Sequence, residues 1–92
     1  MEFVNELTTY KEKKYGLISL HKLPVGKTAR VKNLTNKGLS RRRLLDLGLI
    51  PDSIVKTERL SPSGNPIAYN IKGSVMALRK EETKYVTVEI LD

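Results

Sequence analysis

From residue 19 onward, short apolar runs alternate with turn-forming residues at regular intervals. Leu20, Leu23 and Val25 lead through Pro24 and Gly26 into Thr28–Leu34, where Ala29 and Val31 fall on one face of a strand. Thr35-Asn36-Lys37-Gly38 is a turn by composition. A helix is predicted over residues 40–47, capped by Ser40 and ended by Gly48. Pro51-Asp52-Ser53 then turns the chain into a second strand, Ile54–Leu60. Ser61-Pro62-Ser63-Gly64 fits a type I turn, and Pro66 opens the next strand, where a missing N–H is tolerated. There Ile67, Tyr69 and Ile71 alternate with Ala68, Asn70 and Lys72. Gly73-Ser74 turns into a strand over residues 75–78, residues 79–84 make one helical turn, and Val86, Val88 and Ile90 give a last alternating strand. Five short strands with one inserted helix predict a mainly β fold, a small, partly open barrel.

Residues 1–18 read as an extension and residues 19–92 as the one domain. Phe3, Val4, Leu7 and Tyr10 recur at helical spacing, but Lys11-Glu12-Lys13-Lys14 follows without an apolar partner and Gly16 breaks the pattern. A short docked helix and a frayed tail both fit.

The inserted helix carries the most information. At about 100° per residue, Leu44, Leu45 and Leu47 fall within one arc and pack onto the barrel. Arg42, Arg43 and Asp46 fall opposite, and Arg41 sits at the border. Cations in the first turn and an anion near the end oppose the helix dipole, at about 0.3–1 kcal/mol for each exposed placement. Local chemistry that works against the fold marks a place to look for function. The bland alternative is a solvated face with Arg42 and Asp46 paired four residues apart.

Composition sharpens this picture. The 92 residues carry a net charge of +7. Residues 23–50 hold Lys27, Arg30, Lys32, Lys37, Arg41, Arg42 and Arg43 against Asp46 alone. Such clustering steers a protein toward an anionic surface, whether nucleic acid, phospholipid or acidic protein. With no cysteine, disulfides and thiolate metal sites are excluded. No apolar stretch reaches the roughly 20 residues that span a bilayer, and the N-terminus lacks the pattern of a secretory signal.

Candidate chemistry is sparse. Gly26-Lys27-Thr28 resembles the end of a phosphate-binding loop, but His21 stands where that motif needs its first glycine and a strand follows instead of a helix. His21 is the single histidine, and the adjacent pair Glu81-Glu82 points apart in a strand and shares no face in a helix. No metal site, cofactor site or catalytic constellation is expected, and the chain is not read as an enzyme. Nucleic acid is not expected as a partner either. The basic segment contains no aromatic residue for base stacking, and the tyrosines lie at 10, 15, 69 and 85.

The order of residues itself resembles the ferrous iron transport protein A (FeoA) family. Leu20…Leu23-Pro24-Val25-Gly26…Ala29-Arg30-Val31 is similar to the opening of FeoA domains. Arg42-Arg43-Leu44-Leu45-Asp46-Leu47-Gly48-Leu49-Ile50-Pro51 resembles the family's most specific segment, and Leu60-Ser61-Pro62-Ser63-Gly64-Asn65-Pro66-Ile67 its proline-bounded hairpin. Gly73-Ser74-Val75-Met76-Ala77-Leu78-Arg79 and Val86-Thr87-Val88-Glu89 complete the series in register. Two positions depart from the pattern: Asp52 stands where a glycine is usual, and Thr83 where an alanine is usual.

The resemblance implies an SH3-like barrel in the cytoplasm that assists the membrane-embedded ferrous transporter FeoB by protein–protein contact. Its candidate contact residues are Lys37, Arg41, Arg42, Arg43 and Asp46. Leu44, Leu45, Leu47, Gly48, Pro62, Pro66, Gly73 and Arg79 are the structural positions of the motif. One of the three arginines acting as an arginine finger on a GTP-hydrolysing domain is a further reading. Similar barrels form the C-terminal modules of metal-dependent repressors, so a metal-dependent regulatory module is an alternative, as is sequence-independent nucleic-acid binding. No DNA-binding helical domain precedes the barrel, which favours an accessory protein.

Overall fold

The computed structural model describes residues 16–91. Its elements are β1 (Leu17–Ser19), a 3-10 turn (Leu20–Lys22), β2 (Thr28–Leu34), α1 (Gly38–Asp46), β3 (Ile54–Leu60), β4 (Ile67–Ile71), β5 (Ser74–Leu78), α2 (Lys80–Thr83) and β6 (Val86–Ile90). The strands form one antiparallel sheet in the order β1-β6-β2-β3-β4-β5. The mainly β architecture with one inserted helix is therefore the one expected, with a sixth strand added. That strand, β1, pairs Leu17, Ile18 and Ser19 with Glu89, Val88 and Thr87 of β6. It begins two residues before the expected domain start. The readings of a tail or helix before it fall on residues 1–15, outside the described residues.

Alternation along the strands builds a single core. Ala29, Val31, Val55, Tyr69, Ile71, Val86 and Val88 are buried from the sheet, and Leu20, Leu23, Leu44 and Leu49 are buried from the connecting segments. Two register shifts interrupt the period, between Val31 and Asn33 in β2 and between Thr57 and Arg59 in β3. Each inserts a residue and bends its strand. The first explains why Val31 and Leu34 are both buried although three apart, with Lys32 and Asn33 exposed between them.

The buried polar groups stitch the entry segment to the sheet. Thr57 Oγ1 donates to the Leu23 carbonyl at 3.1 Å and the Tyr69 hydroxyl to the Leu20 carbonyl at 3.5 Å. Thr83 is fully buried, and its hydroxyl is satisfied by the Arg79 carbonyl at 3.4 Å. That bond accommodates a hydroxyl at a fully buried position.

Turns carry their expected residues with one correction. Gly64 N–H donates to the Ser61 carbonyl at 2.8 Å, closing the Ser61-Pro62-Ser63-Gly64 turn, and the Asn65–Pro66 peptide before β4 is cis. The β4–β5 turn is Lys72-Gly73, not Gly73-Ser74: Ile71 pairs with Ser74, and both loop residues have positive φ (53° and 88°). That left-handed pair is the signature of a type I′ turn, whose twist matches that of the flanking strands.

Candidate partner-binding surface

Helix α1 starts two residues earlier than its sequence predicts. Its cap position is Lys37, and Ser40 lies inside the first turn. The Ser40 hydroxyl donates to the Lys37 carbonyl and accepts from the Asn36 side chain, both at 3.1 Å. Ser40 thus braces the entry of the helix without capping it. At the other end Leu47 N–H bonds the Arg43 carbonyl at 3.0 Å, and Gly48, at φ 107°, turns the chain away. Gly48 N–H bonds the Leu45 carbonyl at 3.0 Å and Leu49 N–H the Leu44 carbonyl at 3.1 Å, so the carbonyls of Arg43, Leu44 and Leu45 have partners.

The packing face is as the leucine spacing predicts. Leu44 is fully buried, and Leu45 and Leu47 are half-buried against the core. Lys37, Arg41, Arg42, Arg43 and Asp46 are all exposed. Around the helix, Leu39, Arg42, Arg43 and Asp46 recur three or four residues apart and form one outward stripe opposite Leu44. Leu39 is 88% exposed, an apolar side chain held in water. Reasoning from sequence missed it because the predicted helix began at Ser40. Counting from Gly38 places Leu39 at the head of the arginine face.

The charges are not equivalent. Arg43 pairs with Glu82 of α2. The other carboxylate oxygen of Glu82 accepts the Arg79 N–H at 3.3 Å, at the start of α2. Among the described residues the remaining ion pair is Lys32 with Glu89, at 3.8 Å across β2 and β6. Arg42 and Asp46, one turn apart, do not pair. Arg41, Arg42 and Lys37 therefore face solvent without an ionic partner among the described residues. The basic run of the sequence also divides between elements: Arg30 and Lys32 are exposed on β2, and the three arginines are exposed on α1.

The structural positions of the motif fall at its junctions: Pro62 in the β3–β4 turn, Pro66 ahead of β4, Gly73 in the β4–β5 turn and Arg79 at the cap of α2. Asn65 ties the β3–β4 turn to α2, accepting the Lys80 N–H at 3.0 Å and donating to Glu81 at 3.3 Å. A backbone hydrogen bond at Glu81 itself, and after it the bond from Asn65, hold the Glu81 carboxyl below its ordinary value. Of the tyrosines described, Tyr69 is core and Tyr85 lies under the Lys84 ammonium, 5.2 Å from its ring centre. Among the described residues no three His, Asp or Glu side chains cluster as metal ligands, and no helix is long and apolar enough to cross a membrane.

Comparison with known proteins matches this frame. The FeoA domain model matches residues 18–90. The FeoA protein of Chlorobium tepidum is 36% identical, with 82% of this chain and 71% of that one covered and a TM-score of 0.75. Iron(II) transport protein A of Clostridium thermocellum is 30% identical, with a TM-score of 0.78 over 80% of this chain. The alignment spans 46% of that protein, so this chain matches about half its length. Stenotrophomonas maltophilia FeoA, solved with zinc and described as an SH3-domain protein, is 28% identical over 78% of this chain and 89% of its own, with a TM-score of 0.71. IdeR of T. acidophilum shares the fold at 17% identity, with a TM-score of 0.72 over 82% of this chain and 34% of its own. No curated protein matches. With the family model matching most of its length, this SH3-like chain belongs to the FeoA family of ferrous iron transport.

Proposed function

We propose that this protein is a non-enzymatic accessory of ferrous iron uptake that acts in the cytoplasm by binding the cytoplasmic part of a FeoB-type transporter through the outward face of α1. The observation that carries the reading is Leu39, 88% exposed one turn before Arg42, whose guanidinium has no ionic partner among the described residues. An apolar side chain flanked by arginines is the composition of an interface centre, where arginine is enriched and desolvation is rewarded. Lys37 and Arg41 extend the positive surface, and Asp46 fixes polarity along the helix. The partner face would supply an apolar pocket for Leu39 and carboxylates for the arginines.

Titration calorimetry against the transporter's soluble cytoplasmic domain tests this. The expected outcome is 1:1 binding that weakens by about tenfold in Leu39→Ser and again in Arg42→Ala, each equivalent to about 1.4 kcal/mol. Neither residue is in the core, so both variants should unfold with the parent's midpoint. Unchanged affinity in both variants, or no association with the domain or the whole transporter, would overturn the reading.

A further inference from the structure

The sheet is open, and among the described residues no strand pairs with the outer edge of β5. Strand β5, Ser74-Val75-Met76-Ala77-Leu78, bonds to β4 on one side, with Ile71 facing Ser74 across a two-residue turn. In such a hairpin the closing pair exchanges both backbone bonds, so exchanging and non-exchanging pairs alternate from there. Ile71–Ser74, Tyr69–Met76 and Ile67–Leu78 exchange bonds. The N–H and C=O groups of Val75 and Ala77 therefore point away from the sheet. No loop or helix backbone among the described residues bonds to either.

Natural edge strands are usually defended by an inward charge, a proline, a bulge or a covering element. Within β5 there is no charged residue and no proline, and its pairing with β4 runs without a register shift. Val75 is 52% exposed and Ala77 is exposed. Beside them Ala77 and Ala68 floor a shallow groove bordered by Leu60, Pro66 and Arg59. The charges lie at its margins. Lys72 stands before β5, Arg79 and Lys80 follow it, and all three are exposed without an ion pair among the described residues.

We infer that the β5 edge binds an extended, acidic-ended segment of a partner protein as an added antiparallel strand. The backbone groups of Val75 and Ala77 supply four hydrogen bonds, the usual source of affinity in strand addition. The cations at the two ends select carboxylates on the incoming strand, and a long acidic side chain crossing Ala77 and Ala68 meets Arg59. A second copy of this chain is the wrong occupant. Self-pairing of Val75 with the copy's Ala77 sets Lys72 against Lys80 at both ends, and like charges opposed across strands repel. This surface is distinct from the α1 face, and the inference stands whether or not that face binds a transporter.

The probes are two blocked peptides, Asp-Val-Thr-Val-Glu and Lys-Val-Thr-Val-Lys, added to the isotope-labelled full chain and followed by amide shifts and hydrogen exchange. The acidic peptide is expected to shift and protect the Val75 and Ala77 amides, to bind about tenfold more tightly than the basic one, and to weaken as salt rises. N-methylating alternate residues of the peptide separates pairing from mere adhesion: one phase of methylation abolishes the shifts and the other leaves them. The variant Lys72→Glu/Lys80→Glu reverses the preference between the two peptides. Equal binding of both peptides, shifts centred away from β5, indifference to methylation phase, or concentration-dependent protection of β5 without peptide would each overturn the inference.

Discussion

Asp52 sits at φ 75°, in the left-handed region where its side chain costs about 1 kcal/mol relative to glycine. The conformation is held because its N–H donates to the Val31 carbonyl at 2.7 Å, joining the turn before β3 to β2. Asp52→Gly should therefore stabilise the protein by about 0.5–1 kcal/mol despite the extra freedom of the unfolded chain, read as a higher denaturant midpoint with unchanged slope. His21 carries a different local tension. Its Nδ1 is enclosed without a hydrogen-bond partner, and burial, then Lys22, Lys80 and Lys84, hold its pKa below the ordinary 6.5. The unfolded chain takes up the proton first. His21 therefore costs no stability above pH 6.5 and progressively more as pH falls from there toward its folded value. Thermal melts through that window should show a smaller acid loss for His21→Gln than for the parent. The tension was not legible in the sequence, since Lys80 and Lys84 are about sixty residues away from His21 along the chain.

At the scale of elements, α1 depends on what ends it. A Cβ at Gly48 would lie 3.1 Å from Ile71 Cγ2, at a φ of 107° that side chains rarely adopt. Gly48→Ala should cost about 1–3 kcal/mol in denaturant unfolding, because backbone strain and the crowding of a buried β4 residue act together. The leucine face of this helix was legible from spacing alone, since Leu44 can be buried only if the arginines face outward. Its start was not. Ser40 has the chemistry of a cap, but Asn36 and the Lys37 carbonyl engage its hydroxyl within the first turn. Strands β2, β3, β4 and β6 were readable from alternation and punctuation. β1 escaped because three residues running straight into the Leu20 turn offer no period to read.

For the molecule as a whole, the sequence showed where positive charge is concentrated but not how folding would divide it. The bulge after Val31 leaves Lys32 outward on β2, where Glu89 meets it, whereas the arginines ride on a helix packed by Leu44. One stretch of chain thus contributes to two surfaces. A partly open barrel was anticipated, but which strand would be left at the edge depends on strand order, which alternation does not encode.

The pairing of Arg43 with Glu82 has a cost for recognition. An acidic visitor at Arg43 must displace a carboxylate already in place, so that contact is an exchange with little net gain, and it also releases the carboxylate that steadies the start of α2. Discrimination should then rest on Leu39 and Arg42, while Arg43 serves as a brace between two distant stretches of chain.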